Sequence, residues 1–118
     1  MAFYEAVGFT NNPQFTDETA ACMVWSDNIF VMLLTHEKLK QFTTKEIIDA
    51  KKSVGATNAL SFESKEAMNE FAENALKAGG NEYAPMADYG FMQQRSIEDP
   101  DGNNLEPFYM DLSAMPNR

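Results

Sequence analysis

The sequence predicts an α+β fold of paired modules, each of order βαβββ, with the first module lacking its opening strand. Three observations carry this. Apolar runs at residues 20–25, Ile29–Leu34 and Thr57–Phe62 are bounded by turn residues and read as strands. Residues 64–80 have helical spacing, with Met68, Phe71, Ala72, Ala75 and Leu76 at i, i+3, i+4, i+7 and i+8. The second half reads strand, helix and three strands; the first half repeats that order without its first strand, at a period of about 50 residues.

Taken in order, residues 1–8 read as a helix end, with Phe3, Ala6 and Val7 on one face and Gly8 as its close. Asn11-Asn12-Pro13 reads as a break, residues 14–16 as a short edge strand, and Asp17-Glu18 as a turn. Ser26-Asp27-Asn28 joins two apolar strands into a hairpin, and their apolar character predicts cover on both faces. Residues 36–56 form a polar connector, with Thr44 as N-cap of a short helix ending near Lys51 and Lys52. The first module thus occupies residues 1–35 and the second residues 57–111 of a single domain. Ser64 caps the long helix and Gly79-Gly80 ends it. Strands follow at residues 82–85, 90–98 and 103–110, with a loop at 86–89 and a patternless tail, 112–118, that holds Pro116.

Composition bounds the function. Eighteen acidic residues against nine basic give a net charge of −9, which excludes a phosphate-backbone or anionic-membrane surface as partner. Most of that charge reads as solvated exterior. No apolar run reaches the roughly 18 residues of a spanning helix, and no basic-then-apolar leader opens the sequence, so a cytoplasmic protein is expected. The only cysteine, Cys22, lies in an apolar strand and reads as buried and inert.

The last hairpin carries the chemistry. In Asp99-Pro100-Asp101-Gly102, proline presets one turn position, the aspartates bond backbone N–H groups and glycine supplies a positive φ. Glu106 then stands inside an apolar strand, sharing a face with Asn104 and Phe108, with Leu105, Pro107 and Tyr109 opposite. Arg95, in the preceding strand, is placed either to pair with Glu106 or to bind a ligand carboxylate. Trp25 is a candidate for an apolar pocket wall. His36 directly follows an apolar strand, but alternation turns it away from the face of Ile29, Val31 and Leu33.

Phe3-Tyr4-Glu5-Ala6-Val7-Gly8-Phe9 resembles the first-helix signature of the vicinal oxygen chelate superfamily, which includes glyoxalases, bleomycin-resistance proteins and extradiol dioxygenases. Asp99-Pro100-Asp101-Gly102-Asn103, followed by Leu105-Glu106, resembles its closing hairpin. The resemblance implies two modules whose mixed sheets form an open cup. In the metalloenzymes of the superfamily, ligands from the first and fourth strands of each module hold a divalent ion there. Carried over, the last ligand position falls on Glu106, the position opening the second module on Thr57, and the first module's fourth-strand position near Leu33. The remaining position lies on the opening strand that these residues do not include. Threonine is a weak ligand and leucine none, so one carboxylate is left.

The expectation is therefore a metal-free small-molecule-binding protein without a cofactor. Its pocket residues are Glu106, Thr57, Leu33, Arg95, Trp25, Asn104 and Phe108, and no catalytic residue is assigned. The alternative is a glyoxalase-like lyase or extradiol-dioxygenase-like enzyme, using Zn, Ni, Mn or Fe, with ligands completed across a dimer. Glu106 and His36 are then its first candidate ligands. A third possibility is a cup filled with side chains, serving a structural role. The missing strand leaves a bare sheet edge, so either a homodimer covers it or the coding start lies further upstream.

Overall fold

Aromatic rings organise the first of two compact units, Met1–Ile48 and Asp49–Arg118. The division falls inside the connector expected from the sequence. A computed structural model describes residues 1–114; residues 115–118 of the tail, with Pro116, lie outside the described residues. The elements are helical and stranded in the α+β order expected.

In the first unit, α1 (Ala2–Ala6) is followed by β1 (Thr10–Asn12), a 3₁₀ turn (Pro13–Phe15), β2 (Ala20–Ser26), β3 (Ile29–Leu34) and α2 (His36–Leu39). Phe3 meets Tyr4 edge-on at 5.1 Å, Tyr4 meets Phe9 at 5.3 Å, and Phe9 tilts against Trp25 at 4.8 Å. Such contacts add specificity to the area that the rings bury. The buried side chains are Phe3, Tyr4 and Val7, whereas Ala6 is exposed. The short edge strand is Thr10–Asn12, not residues 14–16. Asn11 is held in it by donating to Thr16 Oγ1 (2.9 Å) and the Cys22 carbonyl (3.4 Å), and Asn12 then caps the 3₁₀ turn.

The first sheet has the order β1-β2-β3, all antiparallel, with Ala21 opposite Leu33 and Met23 opposite Val31. The expectation that both faces of β3 are covered fails. Ile29, Phe30, Val31 and Met32 are 53, 60, 37 and 41% exposed, and β3 pairs with no described strand on its outer side. The helix expected after Thr44 is also absent from the described residues. Thr35 instead caps α2 by accepting from the Lys38 N–H at 3.2 Å.

The second unit holds β4 (Thr57–Phe62), α3 (Lys65–Lys77), β5 (Asn81–Asp88), β6 (Met92–Glu98), β7 (Asn104–Met110) and a 3₁₀ turn (Leu112–Ala114). Ser64 Oγ accepts from the Ala67 N–H at 3.0 Å, satisfying one free donor of the first turn of α3. Met68, Phe71, Ala72 and Ala75 are buried along one face, and Leu76 is half-buried. At the other end Gly79, at φ +99°, donates to the Leu76 carbonyl and Gly80 to that of Ala75. These two bonds make a Schellman close.

The second sheet has the order β4-β7-β6-β5, with β4 parallel to β7 and the other pairs antiparallel. β5 runs past Pro85 to Asp88, where a loop was expected. It is an edge strand, and its register shifts on either side of Ala84, so proline costs the sheet no hydrogen bond. Asp99 fastens the closing hairpin: Oδ1 accepts from the Asp101 and Asn103 N–H groups, and Oδ2 from the Asn103 amide, each at 2.9 Å. Gly102, at φ +94°, passes so close to the connector that a Cβ would lie 2.7 Å from the Lys51 nitrogen.

Candidate functional site

Strand register assigns each candidate to a face of the second sheet. Leu105 and Ile97 oppose each other and are buried, and Phe62 meets Phe71 of α3 at 5.3 Å, so this face is the one that α3 covers. Alternation puts Asn104, Glu106 and Phe108 on the other face. Thr57 lies beside Asn104 and Ala59 beside Glu106 on the parallel neighbour. On the antiparallel neighbour, Gln94 is opposite Phe108 and Glu98 opposite Asn104, which sets Ser96 opposite Glu106.

The Glu106 carboxylate is half-exposed and makes no hydrogen bond or ion pair with another described residue. Ser96 is 8% exposed; its hydroxyl bonds no described residue and is open to solvent, since no buried side-chain oxygen among the described residues lacks a partner. Opposed side chains on neighbouring strands have Cβ atoms roughly 4.5–5.5 Å apart, so these two groups can act on one ligand atom or on two adjacent ones. Glu98 shares the face and accepts from the Asn81 amide at 3.1 Å.

Arg95 is a correction. It stands across from Pro107, on the α3 face, and does not meet Glu106. Its Nε and one terminal nitrogen donate to Glu82, each at 3.0 Å, and it also reaches Asn69 at 3.2 Å and Glu73 at 3.4 Å. The Glu82 hydrogen bonds, with the charges of Glu82 and Glu73, raise its pKa above the ordinary value against the opposing effect of burial. This guanidinium ties β5 and β6 to α3.

Thr57, Glu106, Asn104 and Phe108 thus share one face of the second unit. Leu33 and Trp25 belong to the first unit, Leu33 beside Ala21 and Trp25 against Phe9 at the β2 bulge. His36 is exposed and opens α2, so the chain has left the strand before reaching it. Ser96, Gln94 and Glu98 were missed from the sequence. The turn length carries their signal: a first pair of Glu98 and Asn104 beyond the turn puts even-numbered residues of β6 on the Glu106 face.

The residues present do not fit a divalent ion. Among the described residues no three His, Cys, Asp or Glu side chains group to hold one. Glu98 is the one further carboxylate on this face, and the nearer neighbours of Glu106 offer a hydroxyl and amides, which are weak ligands for a transition metal.

No protein-family model and no curated protein matches this sequence. Solved structures do match it. A hypothetical protein of S. aureus is 15% identical at a TM-score of 0.77, over 92% of this chain and 80% of that one. A glyoxalase/bleomycin resistance protein/dioxygenase family enzyme from Burkholderia phytofirmans PsJN is 18% identical at 0.73, over 92% and 86%. A bleomycin-binding protein complexed with bleomycin is 19% identical at 0.60, over 92% and 84%. Likeness at these identities defines the fold. The chain has the fold of these glyoxalase/bleomycin resistance protein/dioxygenase structures. No helix among its described residues is long and apolar enough to cross a membrane.

Proposed function

We propose that this chain is a small-molecule-binding protein of the glyoxalase/bleomycin-resistance type that works without a metal. The observation that carries this reading is the Glu106 face: an accessible carboxylate without a partner among the described residues, with Glu98 as the one other carboxylate and no group of three ligand side chains among the described residues. The bleomycin-bound structure of the same fold supports it as a precedent for holding an organic molecule. Protein purified without a metal-affinity tag is expected to carry no stoichiometric divalent metal, by elemental analysis. A stoichiometric ion that disappears in Glu106→Ala overturns the reading in favour of a metalloenzyme.

The protein acts as a homodimer in this reading. Support comes from β3, an edge strand without a charged residue that exposes four large apolar side chains. Sedimentation at micromolar concentration should give a dimer, and Phe30→Lys should shift it towards monomer without unfolding it. A clean wild-type monomer refutes the assembly.

A further inference from the structure

We propose that the bare edge of β3 pairs antiparallel with β3 of a second copy, about a two-fold axis at Val31. The proposal rests on the homodimer reading above and assigns the strand, direction and register of the contact.

Edge protection is the first argument. The outer edges of β1 and β5 are guarded. β1 is three residues long and runs into Pro13, and β5 carries Pro85, two register shifts, Glu82 and Asp88. Such devices keep edge strands from pairing with other chains. β4, at the far edge of the second sheet, interrupts its apolar residues with Asn58 and Ser61. β3 is six apolar residues, Ile29–Leu34, without charge, proline or glycine. In a chain of net charge −9, it is a surface on which two copies meet without opposing like charges.

Hydrogen-bond parity is the second, independent argument. Thr35 donates to the Thr19 carbonyl at 2.9 Å, continuing the register that sets Leu33 opposite Ala21 and Val31 opposite Met23. Odd residues of β3 therefore bond towards β2, and the N–H and C=O groups of Phe30, Met32 and Leu34 point to the bare edge. Cys22 agrees, since its N–H donates to Thr16 and its carbonyl accepts from Asn11, both on the far side of β2. Antiparallel pairing sets outward groups against outward groups, so a two-fold axis must pass through a residue. On Met32 it would bring Asp27 level with the second copy's Glu37, two like charges. On Phe30 it would set Leu33 against the second copy's Asp27. On Val31, Phe30 and the second copy's Met32 exchange backbone bonds, and a ring meets a thioether. Ile29 then lies against Leu33, and Asp27 comes level with Thr35.

The test is cysteine crosslinking of the whole chain, followed by sedimentation. Cys22 is buried and stays in every variant. Val31 and its copy form a pair without mutual backbone bonds, whose Cα atoms lie about 4.5 Å apart, within disulfide reach. Mild oxidation of Val31→Cys is expected to give a covalent dimer. Phe30→Cys and Met32→Cys should each stay uncrosslinked alone and crosslink when mixed, because they face each other across the axis. Val31→Lys and Val31→Glu should each raise the dimer dissociation constant at least about tenfold, and an equimolar mixture should regain dimer. Val31→Cys is nearly isosteric, so its result stands even if a charged variant unfolds. Phe15→Lys, at an exposed ring elsewhere in the unit, should leave the dimer unchanged. Crosslinking of Phe30→Cys or Met32→Cys alone as fast as Val31→Cys overturns the register. A dimer that forms none of these crosslinks and is indifferent to charge at Val31 overturns the β3 contact while the homodimer stands. A wild-type monomer overturns the reading beneath both.

Discussion

Gly102→Ala is expected to destabilise the second unit by about 3 kcal/mol, read as a lower urea midpoint at unchanged slope. Two costs combine. At φ +94° an alanine side chain is strained. Its Cβ would also lie 2.7 Å from the Lys51 nitrogen and 2.8 Å from the Ala50 carbonyl carbon, both backbone atoms that cannot swing aside. Gly90→Ala separates the two, because Gly90 has φ +83° and nothing within 4 Å of a Cβ. It should cost about 1 kcal/mol, the strain alone. Equal losses in the two variants would show that the hairpin does not press on the connector.

Arg95→Met is expected to cost about 2 kcal/mol of stability and to leave ligand binding at the Glu106 face unaltered. The methylenes are replaced, but Glu82 loses two hydrogen bonds and stays 25% exposed, too little for water to compensate fully. The Glu73 contact adds little, since that carboxylate is 56% exposed. Glu82→Gln in a double-mutant cycle should therefore recover most of the coupling, and Glu73→Gln less than about 0.5 kcal/mol. Lost binding with stability intact would return Arg95 to the ligand site.

The two outcomes bear on what the sequence discloses. β3 and β4 were legible to the residue and α3 by its caps, because apolar runs, Ser64 and Gly79 are local punctuation. β1 was not, since Asn11, Asn12 and Pro13 read as a break until Thr16 and the Cys22 carbonyl supply partners for the Asn11 amide. Pro85 concealed the second half of β5 in the same way. The apolar run of β3 announced a need for cover and said nothing of what provides it. At the site, the grouping of Glu106 with Asn104 and Phe108 on one face was legible from strand alternation. The error over Arg95 was one of parity, since a one-residue change in register exchanges the two faces of a strand.

The parallel seam between β4 and β7 joins the first strand of the second unit to its last. Its neighbours β5, β6 and β7 are linked by short hairpins and can pair early in folding. The seam must wait until α3 and both hairpins have formed, because its loop closure spans nearly the whole unit. Thr57 and Glu106 sit on the two sides of that seam. A molecule gripping both would act as a clasp on the last joint to close, so occupancy would lengthen the lifetime of the folded unit by slowing its reopening.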